Sequence, residues 1–197
     1  MNFLGLPIGF YGNIFPGNIN IMMMELYGSK KFKVLFMVLA LIVLFESAYC
    51  LLTLYYLSSL KAHEQLFFYI EVGSYVLVMA MGFWMFFNKK SSESVSKTNT
   101  FYRGIITIII HPQQIPFWII IGVLIDPVLN YSGNWNTITG FVLYNALGTF
   151  LAMLVYMVFG NKLMLYFKFK LRQVNAVMGI VYIVFAVFSI GKLFVKF

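Results

Sequence analysis

Six apolar runs, each long enough to cross a bilayer, follow one another along the chain, separated by short polar segments. They cover 3–24, 34–57, 66–87, 104–125, 137–159 and 174–194, and each predicts a transmembrane helix. The stretch 88–103 is the only one with linker character, being rich in Ser, Thr and Lys. It divides the chain into a half of three helices at 1–87 and another at 104–197. Three is odd, so the second half must enter the membrane the other way up. The expectation is one all-α transmembrane domain over 1–197, made of two inverted three-helix repeats joined by a cytoplasmic linker.

Two of the runs are broken by proline. Phe15-Pro16-Gly17-Asn18 interrupts the first, and His111-Pro112-Gln113-Gln114-Ile115-Pro116 interrupts the fourth. Pro16 and Pro112 lie 96 positions apart, at corresponding places in the two halves. A proline within a helix removes one backbone hydrogen bond and strands the carbonyl a turn earlier. In hydrocarbon such groups persist only where they face protein or a watery cavity. Paired interruptions of this kind point to a transport site rather than to a membrane anchor.

Composition supports a membrane protein. The chain is 61% hydrophobic and 10% charged, with a mean hydropathy of +0.87. On a soluble domain of this length the surface would form one apolar patch. The net charge of +8 does not point to nucleic acid, because the basic residues sit in loops between the spans. Eleven of the fourteen lie on one side: Lys30, Lys31 and Lys33; Lys89, Lys90, Lys97 and Arg103; and Lys162, Lys168, Lys170 and Arg172. Lys61, Lys192 and Lys196 lie on the other. The positive-inside rule makes the rich side cytoplasmic and puts both termini outside. A single cysteine, Cys50, rules out disulfide or thiol-redox pairs. The first run lacks a basic leader and contains Pro7 and Pro16, so it does not read as a cleavable signal. In 164–171, Leu, Tyr and Phe mix with Lys168 and Lys170. That segment either lies along the inner interface or continues the fifth helix into the headgroups.

Polar residues within the spans are few. Glu46 stands alone near the middle of the second span, where an acidic residue costs on the order of 2.5–3.5 kcal/mol on insertion scales. Its functional reading is a proton-coupling or substrate-binding carboxyl; the alternative is a neutral carboxyl hydrogen-bonded to a neighbouring helix. Glu71 lies about a turn inside the outer end of the third span, where it can reach water. Asn13, Asn18 and Asn20 surround the first break, and Gln113 and Gln114 the second. Their amides either bind a polar substrate or satisfy the backbone groups that the breaks release, and in both cases they face inward. His111 is suited to proton transfer or carboxylate binding, but a lone histidine is also a common structural group. His63 falls in an outer loop, so no histidine pair for a metal is predicted.

Gly5, Gly9 and Gly12 give the first span a smooth face for close packing. Gly148 and Asn145 do the same on the fifth, and Asn145 is also placed to reach a cavity. Met22-Met23-Met24 resembles a metal ladder. Consecutive residues point to different faces of a helix, however, so the run is read as lipid or core contact.

On these residues the chain resembles the lysine-exporter (LysE/RhtB-type) family of amino-acid translocators. Pro16-Gly17-Asn18 resembles the Pro-Gly-Pro-Asn-like break in that family's first helix, with Asn18 standing where a second proline is usual. His111-Pro112-Gln113 falls where the family has an Asn-Pro-Lys-like break, with His111 and Gln113 replacing the asparagine and lysine. Gly104 matches a glycine before the fourth-helix break, and Glu46 matches an acidic residue often found in the second helix. The resemblance covers the whole chain in length and layout. It implies a dimeric efflux carrier of the bacterial cytoplasmic membrane, without cofactor, moving an amino acid or similar zwitterion. Related carriers that use paired cysteines or acidic manganese ligands require motifs absent here.

Two other readings stay open: a carrier of an ion or other small solute, and a non-catalytic membrane assembly subunit. An enzyme is disfavoured, because the spans hold no zinc motif, serine–histidine pair or two-carboxylate site.

Overall fold

A computed structural model describes residues 2–13, 18–60, 63–87, 105–106, 108–109, 114–130, 134–167 and 171–195. These are almost entirely helical, with no strand among them. After a short 3₁₀ turn at Asn2–Leu4 come α1 (Gly5–Asn13), α2 (Asn18–Gly28), α3 (Phe32–Leu60) and α4 (Glu64–Phe87). Then follow α5 (Gln114–Leu129), α6 (Trp135–Phe167) and α7 (Leu171–Val195). Three helices, α3, α4 and α6 as far as Gly160, are long and apolar enough to cross a membrane. At 1.5 Å per residue, the 29 residues of α3 reach about 44 Å, beyond the ~30 Å hydrocarbon core. Phe36, Leu44, Leu77, Trp84, Val184 and Phe188 are each more than half exposed. Large apolar side chains on the outside of long helices are consistent with a membrane protein.

The predicted spans at 34–57, 66–87 and 174–194 lie inside α3, α4 and α7. The fifth span, predicted at 137–159, is part of a longer helix. Asn134 starts it two residues early by accepting a 3.2 Å hydrogen bond from the Thr137 amide, which caps the first turn. The same helix carries on to Phe167, so the backbone of 164–167 continues α6. In the fourth span, α5 begins at Gln114 and places Pro116 in its first turn. A missing N–H costs nothing there, because first-turn amides have no helical partner. The linker 88–103, Gly104, Pro16, Gly17, His111, Pro112 and Gln113 lie outside the described residues.

Contacts gather the chain into two compact units, and each draws on both sides of the linker. The first holds α1, α2, α3 up to Ala48, residues 105–106 and 108–109, and α6 from Thr139. The second holds the rest of α3, α4, α5, the start of α6 up to Ile138, and α7.

In the first unit α1 lies backbone-on-backbone against α6. A methyl group added at Gly5 would overlap the Phe141 carbonyl, one at Gly9 the Asn145 carbonyl, and one at Gly148 the Leu6 carbonyl. This is the close glycine packing expected of the first and fifth spans. The Met22, Met23 and Met24 side chains are all buried. Met22 and Met23 pack with Leu35, Val38 and Ile42 of α3 and with Met153 of α6. Met24 meets Gly160 from the remaining side. All three side chains are buried against protein, so the methionine run is core rather than lipid contact.

In the second unit α4 turns one face inward, made of Glu71, Ser74, Tyr75, Val78 and Gly82. Their spacing of three, one, three and four residues is that of a single helical stripe. Gly82 and Gly179 meet across α4 and α7, and a methyl on either would press on the other's carbonyl at 2.8 or 2.6 Å.

The end of α2 is a Schellman turn with the wrong residue in it. The Lys31 amide reaches back to Leu26 O (3.2 Å) and the Lys30 amide to Tyr27 O (3.0 Å). This geometry puts Lys30 in the left-handed region at φ 55°. A side chain there costs about 1–2 kcal/mol, whereas glycine adopts the conformation freely. Lys30→Gly is therefore expected to stabilise the fold by about 1 kcal/mol. Thermal unfolding in lipid checks it, and a lower midpoint for the variant would contradict the assignment.

Candidate functional site

The first unit contains a column of buried polar groups beside the first-helix break. Three come from one face of α6: Asn145, Thr149 and Tyr156, spaced four and seven residues apart so that they stack along the helix. All three are buried. Asn13 ends α1 and Asn20 lies in the first turn of α2.

The two asparagines bridge the break. Asn13 Nδ2 donates to Gly9 O (3.0 Å) and to Thr149 Oγ1 (3.1 Å). Asn20 Nδ2 donates to Asn13 O (2.9 Å). Asn13 ends α1, where the last four carbonyls lose their helical partners, and Gly9 lies one turn earlier. Side-chain amides thus add hydrogen bonds to two backbone carbonyls at the end of α1. The Asn20 side chain is also hydrogen-bonded to the Tyr156 hydroxyl, which ties α2 to α6 as Asn13 ties α1 to α6.

Asn145 is the exception in the column. It is 0% exposed, its side chain lies against Gly9, and among the described residues neither Nδ2 nor Oδ1 has a hydrogen-bond partner. An unsatisfied buried amide costs about 1–3 kcal/mol. A group held at such a cost, one turn from a satisfied Asn13–Thr149 pair, is a binding capacity that the fold leaves open.

Glu46 belongs to the same unit. It is 6% exposed and lies fourteen residues from either end of α3, at the helix midpoint. If α3 spans a bilayer, that position falls at mid-depth, as the sequence predicts.

The remaining sequence candidates fall elsewhere. Asn18 is the first residue of α2. Gln114 is buried at the start of α5, in the second unit. Glu71 is also in the second unit, and here the expectation of water access is corrected. α4 begins at Glu64, so Glu71 is two turns in; it is 6% exposed and accepts a 2.5 Å hydrogen bond from Tyr75 Oη. An open surface depression at the start of α4, lined by His63, Glu64, Gln65 and Leu66, presents only exposed side chains. Among the described residues no three His, Cys, Asp or Glu side chains come together.

Thr149, Tyr156 and Tyr75 are absent from the sequence-derived candidates. A signal for them exists: Thr149 stands four and Tyr156 eleven residues from Asn145, and Tyr75 four from Glu71, each on the same helix.

Fold and surface therefore define an all-helical protein consistent with life in a membrane. No protein-family model, curated protein or solved structure matches the chain.

Proposed function

We propose that the protein is a secondary carrier of a bacterial cytoplasmic membrane that exports an amino acid or similar small zwitterion. In this reading six helices form two inverted halves with both termini outside, and the carrier pairs with a second copy as a homodimer. The reading rests on the buried polar column at the first-helix break and above all on the open Asn145 amide. Amides and hydroxyls beside broken backbone are the groups that carriers use to replace a polar substrate's hydration.

Each residue has a defined task. Asn145 hydrogen-bonds the substrate. Asn13 and Asn20 hold the two half-helices in register through Gly9 O, Asn13 O and Thr149. Half-helix N-termini at Asn18 and Gln114 favour a carboxylate electrostatically. Glu46 takes up a proton from outside and exchanges it for substrate, since an ionisable side chain buried in the middle of a span is by default a functional group.

Export of amino acids from proteoliposomes under an imposed proton gradient tests the reading. Glu46→Gln is expected to abolish gradient-driven export while leaving substrate exchange in place. Undiminished proton-driven export by that variant would end the coupling role. Transport of an inorganic ion in place of any amino acid would move the protein to another solute class.

A further inference from the structure

The turn between α2 and α3 gathers positive charge on a strained backbone. Lys30, Lys31 and Lys33 are all exposed. Lys30 holds the left-handed position of the Schellman turn, at φ 55°, where glycine would be free of strain. Strain that a fold retains points to a function for the residue that bears it. From 18 to 45 the only acidic residue is Glu25, so the turn carries an excess of positive charge.

A fourth cation reaches the same end of the first unit from α6. Gly5 meets Phe141, Asn13 bonds to Thr149 and Met24 meets Gly160, each pair 136 positions apart. The helices α1 and α2 therefore run parallel to α6 in one register. That register puts Lys162 level with Leu26, about one helical turn before Lys30. Lys162 is exposed as well.

Lys33 also opens an exposed stripe along α3. Phe36, Met37, Ala40 and Leu44 follow it at helical spacing, and all four are exposed. One surface thus passes within a few residues from ammonium groups to bare hydrocarbon. A small soluble anion would meet only the lysines. A ligand with phosphate at one end and acyl chains at the other covers both parts. Beside the lysines the Tyr27 and Phe32 rings meet edge to face at 6.1 Å, and aromatic rings suit the headgroup boundary. We propose that this surface binds an anionic phospholipid. Its phosphate sits on Lys30, Lys31 and Lys33, with Lys162 alongside, and an acyl chain runs down Phe36, Met37 and Leu44. The site needs α3 to lie in a bilayer and uses no part of the export reading.

Native mass spectrometry tests the site on the full chain, released from nanodiscs of phosphatidylglycerol and phosphatidylcholine in equal parts. The protein is expected to retain phosphatidylglycerol in preference to phosphatidylcholine. K30Q, K31Q and K33Q should each weaken that retention about five-fold, and the triple variant should lose the preference. Excess inorganic phosphate should leave the lipid bound, because it offers nothing to Phe36, Met37 and Leu44. Equal retention of the two lipids by the parent chain would overturn the proposal, and that comparison needs no variant to fold. A triple variant with the parent's preference would overturn it too, as would displacement of the lipid by inorganic phosphate.

Discussion

Asn145→Leu is expected to stabilise the protein and to abolish export at the same time. Asparagine and leucine side chains have similar shape, so the exchange keeps the packing against Gly9 while removing two buried polar atoms that have no partner. Relieving an unsatisfied amide returns about 1–3 kcal/mol of folding stability. Thermal unfolding in lipid should show a raised midpoint, and proteoliposomes should show loss of substrate export. The two signs must appear together, because a purely structural asparagine would be missed by the fold and not by the substrate. A destabilised variant that still exports would sink the role given to Asn145. The pattern is the general one in which a fold retains locally unfavourable groups where it works.

Much of the first unit was legible in the sequence because its signals are local. The asparagines either side of Pro16 stand out as groups suited to backbone hydrogen bonding, and Asn13 and Asn20 donate to Gly9 O and Asn13 O. Gly5, Gly9 and Gly148 announced close packing by their size alone, and α1 and α6 meet there. Glu46 stood out as a charge in apolar surroundings, and it is buried at the centre of α3. What escaped depends on partners remote in the chain. The stripe from Glu71 to Gly82 has helical spacing, but only contact with Gly179 on α7 makes it an interior face. Placed near a predicted helix end, Glu71 seemed free to reach water; an earlier helix start and Tyr75 beside it enclose the carboxyl instead. The grouping into two contact units, with α3 and α6 each serving both, is a tertiary property that no run of apolar residues encodes.

The same substitution, glycine to alanine, is expected to have opposite signs at different helical positions. Gly73 and Gly191 have nothing within 4 Å of an added methyl group. Alanine there gains only the helix preference over glycine, about 0.5–1 kcal/mol of added stability. At Gly9 the methyl would overlap the Asn145 carbonyl, and at Gly148 the Leu6 carbonyl. Backbone atoms cannot rotate aside as a flexible side chain does, so α1 must move away from α6. Overpacking of this kind costs typically 1–3 kcal/mol, which outweighs the gain in propensity. In a membrane the loss is felt fully, since helices there associate through close packing without a hydrophobic drive between them. Displacing α1 also pulls Asn13 from Thr149, so the Gly9→Ala and Gly148→Ala variants lose a hydrogen bond that ties the break to α6. Unfolding midpoints of the four single variants in one lipid, compared with the parent, make the test. Gly9→Ala as stabilising as Gly73→Ala would mean that α1 and α6 do not meet through their backbones.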